Sequence, residues 1–152
     1  MSIWWSLHLR REAASVPLAR RLLMGTMETA GVDPEISYDL SVALSEACAN
    51  AVEHGGAAAG PGETSGAYRV TAYLDGEKCR IEVADSGPGF PALRGRAVVR
   101  PAPDQAENGR GLCLIQELAD HVRFVNRPGR GGAVVSFDKI LKWREDAPLV
   151  AV

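Results

Sequence analysis

The order of apolar and polar residues divides the chain into stretches of two kinds, alternating and helical. Residues 3–10 alternate, with Trp5, Leu7 and Leu9 on one side and Ser6, His8 and Arg10 on the other, which is the period of a strand. Trp4 and Trp5 cannot both face a core, so one of them is expected at a surface or an interface. Ser15 before Val16-Pro17 reads as an N-cap with proline in the first turn; Leu18, Leu22, Leu23, Met27 and Ala30 then recur at helical spacing until Gly31 stops them. Asp33-Pro34 opens a second helix by the same chemistry. Its apolar stripe is Ile36, Leu40, Ala43, Leu44, Ala47 and Ala51, and it ends near His54-Gly55-Gly56 with His54 as a C-terminal cap. Residues 68–74 and 79–84 read as two strands joined by a hairpin at Asp75-Gly76. Leu112, Ile115, Leu118 and Ala119 mark a third helix closed by Asp120. Residues 122–126 and 133–137 are the last two strands, separated by a glycine-rich turn over 127–132.

The stretches between these elements add two features. Residues 55–67 hold five glycines and no periodicity, so they predict a flexible loop without chemistry. Residues 91–108, rich in Arg, Pro and Ala, predict a loop of lid length. Beyond residue 142 the tail is expected to fray.

Composition bounds the function classes. A chain of 152 residues, 46% hydrophobic and 24% charged, fits one domain over 1–152 with a substantial core. The net charge of −2, from 17 basic and 19 acidic residues spread along the chain, offers no single-sign field for nucleic acid or a membrane. Cys48, Cys79 and Cys113 are odd in number and widely spaced inside apolar-periodic segments. That pattern predicts reduced core thiols and a cytoplasmic protein, not a disulfide frame or a metal site. The first residues are too short an apolar run for a signal peptide, and no stretch approaches the length of a membrane-spanning helix.

Three local patterns carry chemistry. Glu46 and Asn50 lie four residues apart on the second helix, at the edge of its apolar stripe, where a carboxylate and an amide can look into a pocket. Asp85-Ser86-Gly87-Pro88-Gly89 sets an acidic residue and two alternate glycines at a strand end. Asn108-Gly109-Arg110-Gly111-Leu112 is a glycine-rich turn opening a helix, where free amides and the positive dipole end suit phosphate. Each is ordinary alone. Their order and spacing, each at the end of a regular element, set them apart.

Glu46-x3-Asn50, Asp85-x-Gly87-x-Gly89 and Gly109-Arg110-Gly111-Leu112 together resemble the GHKL ATPase superfamily over about residues 10–138. Within it, Ser45-Glu-Ala-Cys-Ala-Asn-Ala-Val-Glu-His54, Gly109-Arg-Gly-Leu-Cys-Leu-Ile115 and Ala119-Asp-His-Val122 are similar to the serine-protein kinases that act as anti-sigma factors. Gyrase, mismatch-repair and chaperone relatives need further domains, and the roughly 33 residues before the second helix cannot supply the phosphoacceptor helix pair of a sensor histidine kinase. The resemblance implies a two-layer α/β sandwich, a mixed, mainly antiparallel sheet with three helices on one face. It implies ATP and magnesium as cofactors. Asp85 would accept from the adenine amino group, Gly87 and Gly89 would admit the base and ribose, and Asn50 would ligate magnesium. Gly109, Arg110, Gly111 and Leu112 would hold the phosphates, and Glu46 would be the general base. The implied partners are a sigma factor and an anti-sigma-factor antagonist, with a homodimer supported by the first strand and helix, where Trp4 or Trp5 would serve. The alternative is a partner-switching module that binds protein, with or without ATP, and transfers no phosphoryl group. Gly132-Ala133 departs from the Gly-Thr pair that superfamily members often carry, so one hydroxyl is missing at the adenine end.

Overall fold

The computed structural model describes residues 2–54, 66–87, 89, 106–127 and 132–145, of which 106–111 are described by their backbone alone. Most of the expected 55–67 loop, the lid over 91–105, the tip of the 127–132 turn and the end of the tail lie outside the described residues. The elements are β1 (Ile3–Arg10), α1 (Ser15–Ala30), α2 (Pro34–His54), β2 (Ala67–Leu74), β3 (Lys78–Asp85), α3 (Ala106–Leu118), β4 (His121–Asn126) and β5 (Ala133–Ile140).

The strands form one five-stranded sheet in the order β1-β2-β3-β5-β4. Each of its four pairings is antiparallel, so the described strands contain none of the parallel pairs that a mixed sheet would have. Directly opposed residues share a face. Leu7, Val70, Val83, Val135 and Phe124 make one inward row across the whole sheet, and Trp5, Ala72, Ile81, Phe137 and Val122 make the next. The helices bury these rows. α2 packs against both α1 and α3 and lies over β2, β3 and β5, while α1 reaches β1 and α3 reaches β4. Phe137, Leu23, Met27, Leu40, Leu44 and Ile115 are fully buried between the layers, each contributing about 1.5–3 kcal/mol of apolar burial.

Turn chemistry behaves as the sequence predicts at three places. Gly31 ends α1 with φ of 90°, and its N–H and that of Val32 return to Met27 O, a closure that needs the left-handed conformation. Asp33 caps α2 by accepting from Glu35 N–H at 2.8 Å. In the β2–β3 hairpin, Asp75 Oδ1 accepts from the N–H groups of Glu77 and Lys78.

The first helix differs from expectation in two ways. Ser15 is not its N-cap: it lies inside the helix, 5% exposed, with its hydroxyl donating to Glu12 O and bonded to Tyr68 Oη. The buried stripe is Ala19, Leu23, Met27 and Ala30, whereas Leu18 and Leu22 face out at 54% and 40% exposure. Period alone assigned both leucines to the core, since Leu18, Leu22 and Leu23 span more of the helix circumference than one neighbour can cover.

Each of the three described helices is closed at its carboxyl end by a cation from outside the helix. Arg144 donates to Glu28 O of α1, Arg11 donates to the carbonyls of Ala51 and Val52 of α2, and Lys139 donates to Leu118 O of α3. These carbonyls have no partner within a helix, and a positive charge there opposes the dipole.

Candidate functional site

Asp85 ends β3 and is buried, with 6% exposure. Its Oδ1 accepts from Gly87 N–H at 2.9 Å, a turn closed by its own side chain, and from Ala133 N–H at 3.1 Å, the first residue of β5. One oxygen is thus held by two main-chain donors from different elements, which fixes the carboxylate plane and directs Oδ2 away from them. Two glycines with positive φ lie close to the strand ends here. At Gly132, with φ of 111°, a Cβ would stand 2.5 Å from Asp85 O. At Gly89, with φ of 83°, a Cβ would stand 2.6 Å from Asn126 Oδ1. Both positions therefore exclude a side chain by conformation and by space. The amide of Ala133, not a side chain, makes the contact to Asp85 at the position where a threonine hydroxyl was expected to be missed.

A buried polar chain connects this sheet end to α2. Tyr68 is the register partner of Asp85 on β2. Its hydroxyl meets Ser15 and the thiol of Cys48. Burial raises the Cys48 pKa to about 12, against a smaller lowering by the hydrogen bond with Tyr68. Cys48 lies between Glu46 and Asn50 in sequence, so the turn of α2 that carries that pair stands over the same end of the sheet as Asp85. Glu46 and Asn50 are both half-buried. Arg11 fixes the next residues of the helix through three contacts of 2.7–3.2 Å to Ala51 O and Val52 O.

The third helix begins earlier than its glycine pattern suggests. α3 starts at Ala106, because Ala106 and Glu107 are good helix formers ahead of the glycines. Among the described residues Gly109, Arg110 and Gly111 lie within α3. Leu112 is buried, 8% exposed, in the interface with α2. Lys139 holds Leu118 O at the β5 end opposite Ala133. A helix of 13 residues is about 20 Å long.

Sequence reasoning missed Asn126, which lies against Gly89 at the end of β4, and Arg11; the only signal for either was its place at the end of an alternating run. Among the described residues no cluster of three or more His, Cys, Asp or Glu could hold a metal, and no helix is long and apolar enough to cross a membrane.

A buried, doubly held carboxylate, two glycines that keep side chains out, and a helix carrying Glu46 and Asn50 belong to a two-layer α/β sandwich. The profile of the histidine kinase-like ATPase domain matches residues 9–139, and the chain belongs to that family. Among curated relatives it is similar to the serine-protein kinase RsbW of Listeria innocua, 32% identical over 124 residues that cover 78% of this chain and 76% of that one. It is likewise similar to the serine-protein kinase RsbW of Bacillus pumilus, 34% identical over 80% of this chain and 78% of that one. The fold recurs in a solved structure of RsbU and RsbW domains from Mycobacterium tuberculosis, with a TM-score of 0.62 and 22% identity, covering 91% of this chain and 33% of that one. It recurs also in the catalytic domain of the histidine kinase ThkA, with a TM-score of 0.55 and 16% identity over 92% of this chain and 99% of that one.

Proposed function

We propose that this chain is a cytoplasmic anti-sigma serine-protein kinase that binds ATP with magnesium, phosphorylates a serine of an antagonist protein and sequesters a sigma factor. The observation that carries the reading is the Asp85 cradle, in a chain whose relatives at 32% and 34% identity are named serine-protein kinases. Adenine presents an exocyclic amino donor, and Oδ2 of Asp85 is the oxygen left to receive it once Oδ1 is taken by Gly87 and Ala133. Gly87 and Gly89 let the main chain approach the base and ribose.

Asn50 offers a hard amide oxygen, and one or two protein ligands beside phosphate oxygens are the usual way magnesium is held. When bound, ATP supplies the phosphoryl group and magnesium the charge that offsets its oxygens. Glu46, one turn from Asn50, would take the proton of an incoming serine hydroxyl. Gly109, Arg110 and Gly111, in the first turns of α3, would hold the phosphates. Free cysteines, two of them buried, fit a reducing compartment. A homodimer has support at β1 and α1: β1 is an edge strand, and Leu18 and Leu22 line an open groove of about 650 Å³ with Ile3 and Gly25.

Titration calorimetry with ATP, with and without magnesium, tests this reading. Wild type should bind ATP more tightly with magnesium, and Asn50→Ala should lose that gain. Equal affinity with and without magnesium in wild type would remove Asn50 from the metal site.

A further inference from the structure

The open face of the sheet, away from the nucleotide site, carries a pattern that the kinase reading does not use. Its rows alternate with the buried ones. Trp4, Tyr73, Arg80, Asp138 and His121 form one continuous row across all five strands. Ser6, Thr71, Glu82, Ser136 and Arg123 form the next, and His8, Arg69, Ala84, Val134 and Val125 the third. Trp4 and Tyr73 are cross-strand neighbours, 66% and 38% exposed. Within the first row Asp138 is consumed: it lies 3.8 Å from Arg80 and 2.8 Å from His121. Among the described residues Arg10, Arg69 and Arg123 make no ion pair, and the only other carboxylate in these rows is Glu82. The face therefore has a positive surplus on a chain whose net charge is −2.

The geometry points to this open sheet face as a docking surface for an acidic polypeptide segment. Three arguments select that occupant. Tryptophan, tyrosine and arginine are the residue types that dominate binding energy at protein interfaces, and here they are adjacent on a rigid sheet. A second copy would set the same unpaired arginines against each other, a like-charge juxtaposition. Glu82 stands on the central strand β3 between Thr71 and Ser136. A nucleic acid carries a phosphate at every step and would meet that carboxylate, whereas a polypeptide can be acidic at the arginines and place a donor opposite Glu82. The inference is independent of the kinase reading, since none of these residues belongs to the nucleotide site.

The probe is a fluorescein-labelled peptide of Asp, Glu and Leu with a single Lys, titrated with the full chain and followed by anisotropy. An oligo-dT of equal negative charge is the comparison. Wild type should bind the peptide saturably, more weakly as salt rises, and more tightly than the oligonucleotide. Arg69→Glu with Arg123→Glu should weaken peptide binding by at least about tenfold, and Trp4→Ser should also weaken it. Tyr38→Ser, on α2 and 64% exposed, should leave it unchanged. Far-UV circular dichroism and thermal melts establish that each variant is folded. No saturable peptide binding by wild type, undiminished binding by the folded charge-reversal variant, or preference for the oligonucleotide would each overturn the inference.

Discussion

Asp85→Asn should separate the proposed nucleotide recognition from folding, because Oδ1 of Asp85 is held by main-chain donors and Oδ2 is left for the base. Oδ1 accepts from Gly87 N–H at 2.9 Å and from Ala133 N–H at 3.1 Å. These two donors select the carbonyl oxygen of an asparagine for the same place, so the cradle persists. The amide nitrogen then replaces Oδ2 and turns a donor toward the adenine amino group, itself a donor. A hydrogen bond to a charged group is worth about 1.5–3 kcal/mol, so ATP affinity should fall roughly tenfold to a hundredfold. Stability should change by less than about 1 kcal/mol, or a few degrees in Tm for a chain of this size. Asp85→Ala provides the contrast: it leaves two buried N–H groups without a partner, at about 1–3 kcal/mol each, and should lower Tm substantially. Calorimetric titration with ATP and a thermal melt on both variants measure the two effects. Unchanged ATP affinity in Asp85→Asn would remove this carboxylate from the base site, and a melt as low as that of Asp85→Ala would refute the division between its oxygens.

Two further outcomes follow from contacts that lie away from the base. Arg11→Ala removes a charged donor from the carbonyls of Ala51 and Val52; it should cost about 1–3 kcal/mol, with Arg11→Lys recovering part of the loss, as read by urea denaturation. The pKa values of Cys48 and Cys79 are raised by burial to about 12, so at pH 8 only about one thiol in ten thousand is ionised; a disulfide reagent should modify half-buried Cys113 first, and the other two only as the protein unfolds.

The strands were legible because their inward rows alternate without a break: Leu7, Val70, Val83, Val135 and Phe124 are each a separate local signal that the sheet brings into line. The hairpin at Asp75-Gly76 and the stop at Gly31 were legible because the chemistry of each turn is local. What escaped was set by distant partners. Ser15 reads as a cap until Tyr68, 53 residues away, meets its hydroxyl. Arg11, Lys139 and Arg144 close helices whose last turns lie elsewhere in the chain, and no spacing rule joins them. Of the site, the Asp85 end was visible as an acidic residue before glycines, while the part played by Asn126 depended on a strand that reaches Gly89 only in the folded sheet. Glu46 and Asn50 were visible as a one-turn pair, and the thiol between them in sequence ties that stretch of α2 to Tyr68 of β2.

The kinase reading turns most directly on single-turnover transfer from terminally labelled ATP to the serine of a cognate antagonist, with wild type and Glu46→Gln compared at saturating nucleotide. Glutamine keeps the size of Glu46 and loses its basicity, so the variant should bind ATP within a few-fold of wild type while its transfer slows by on the order of 10²–10⁴. Label on the antagonist with wild type, and its near absence with Glu46→Gln, is the predicted result. Antagonist binding by wild type without any transfer would make the chain a switching module, and transfer by Glu46→Gln at the wild-type rate would show that Glu46 is not the base.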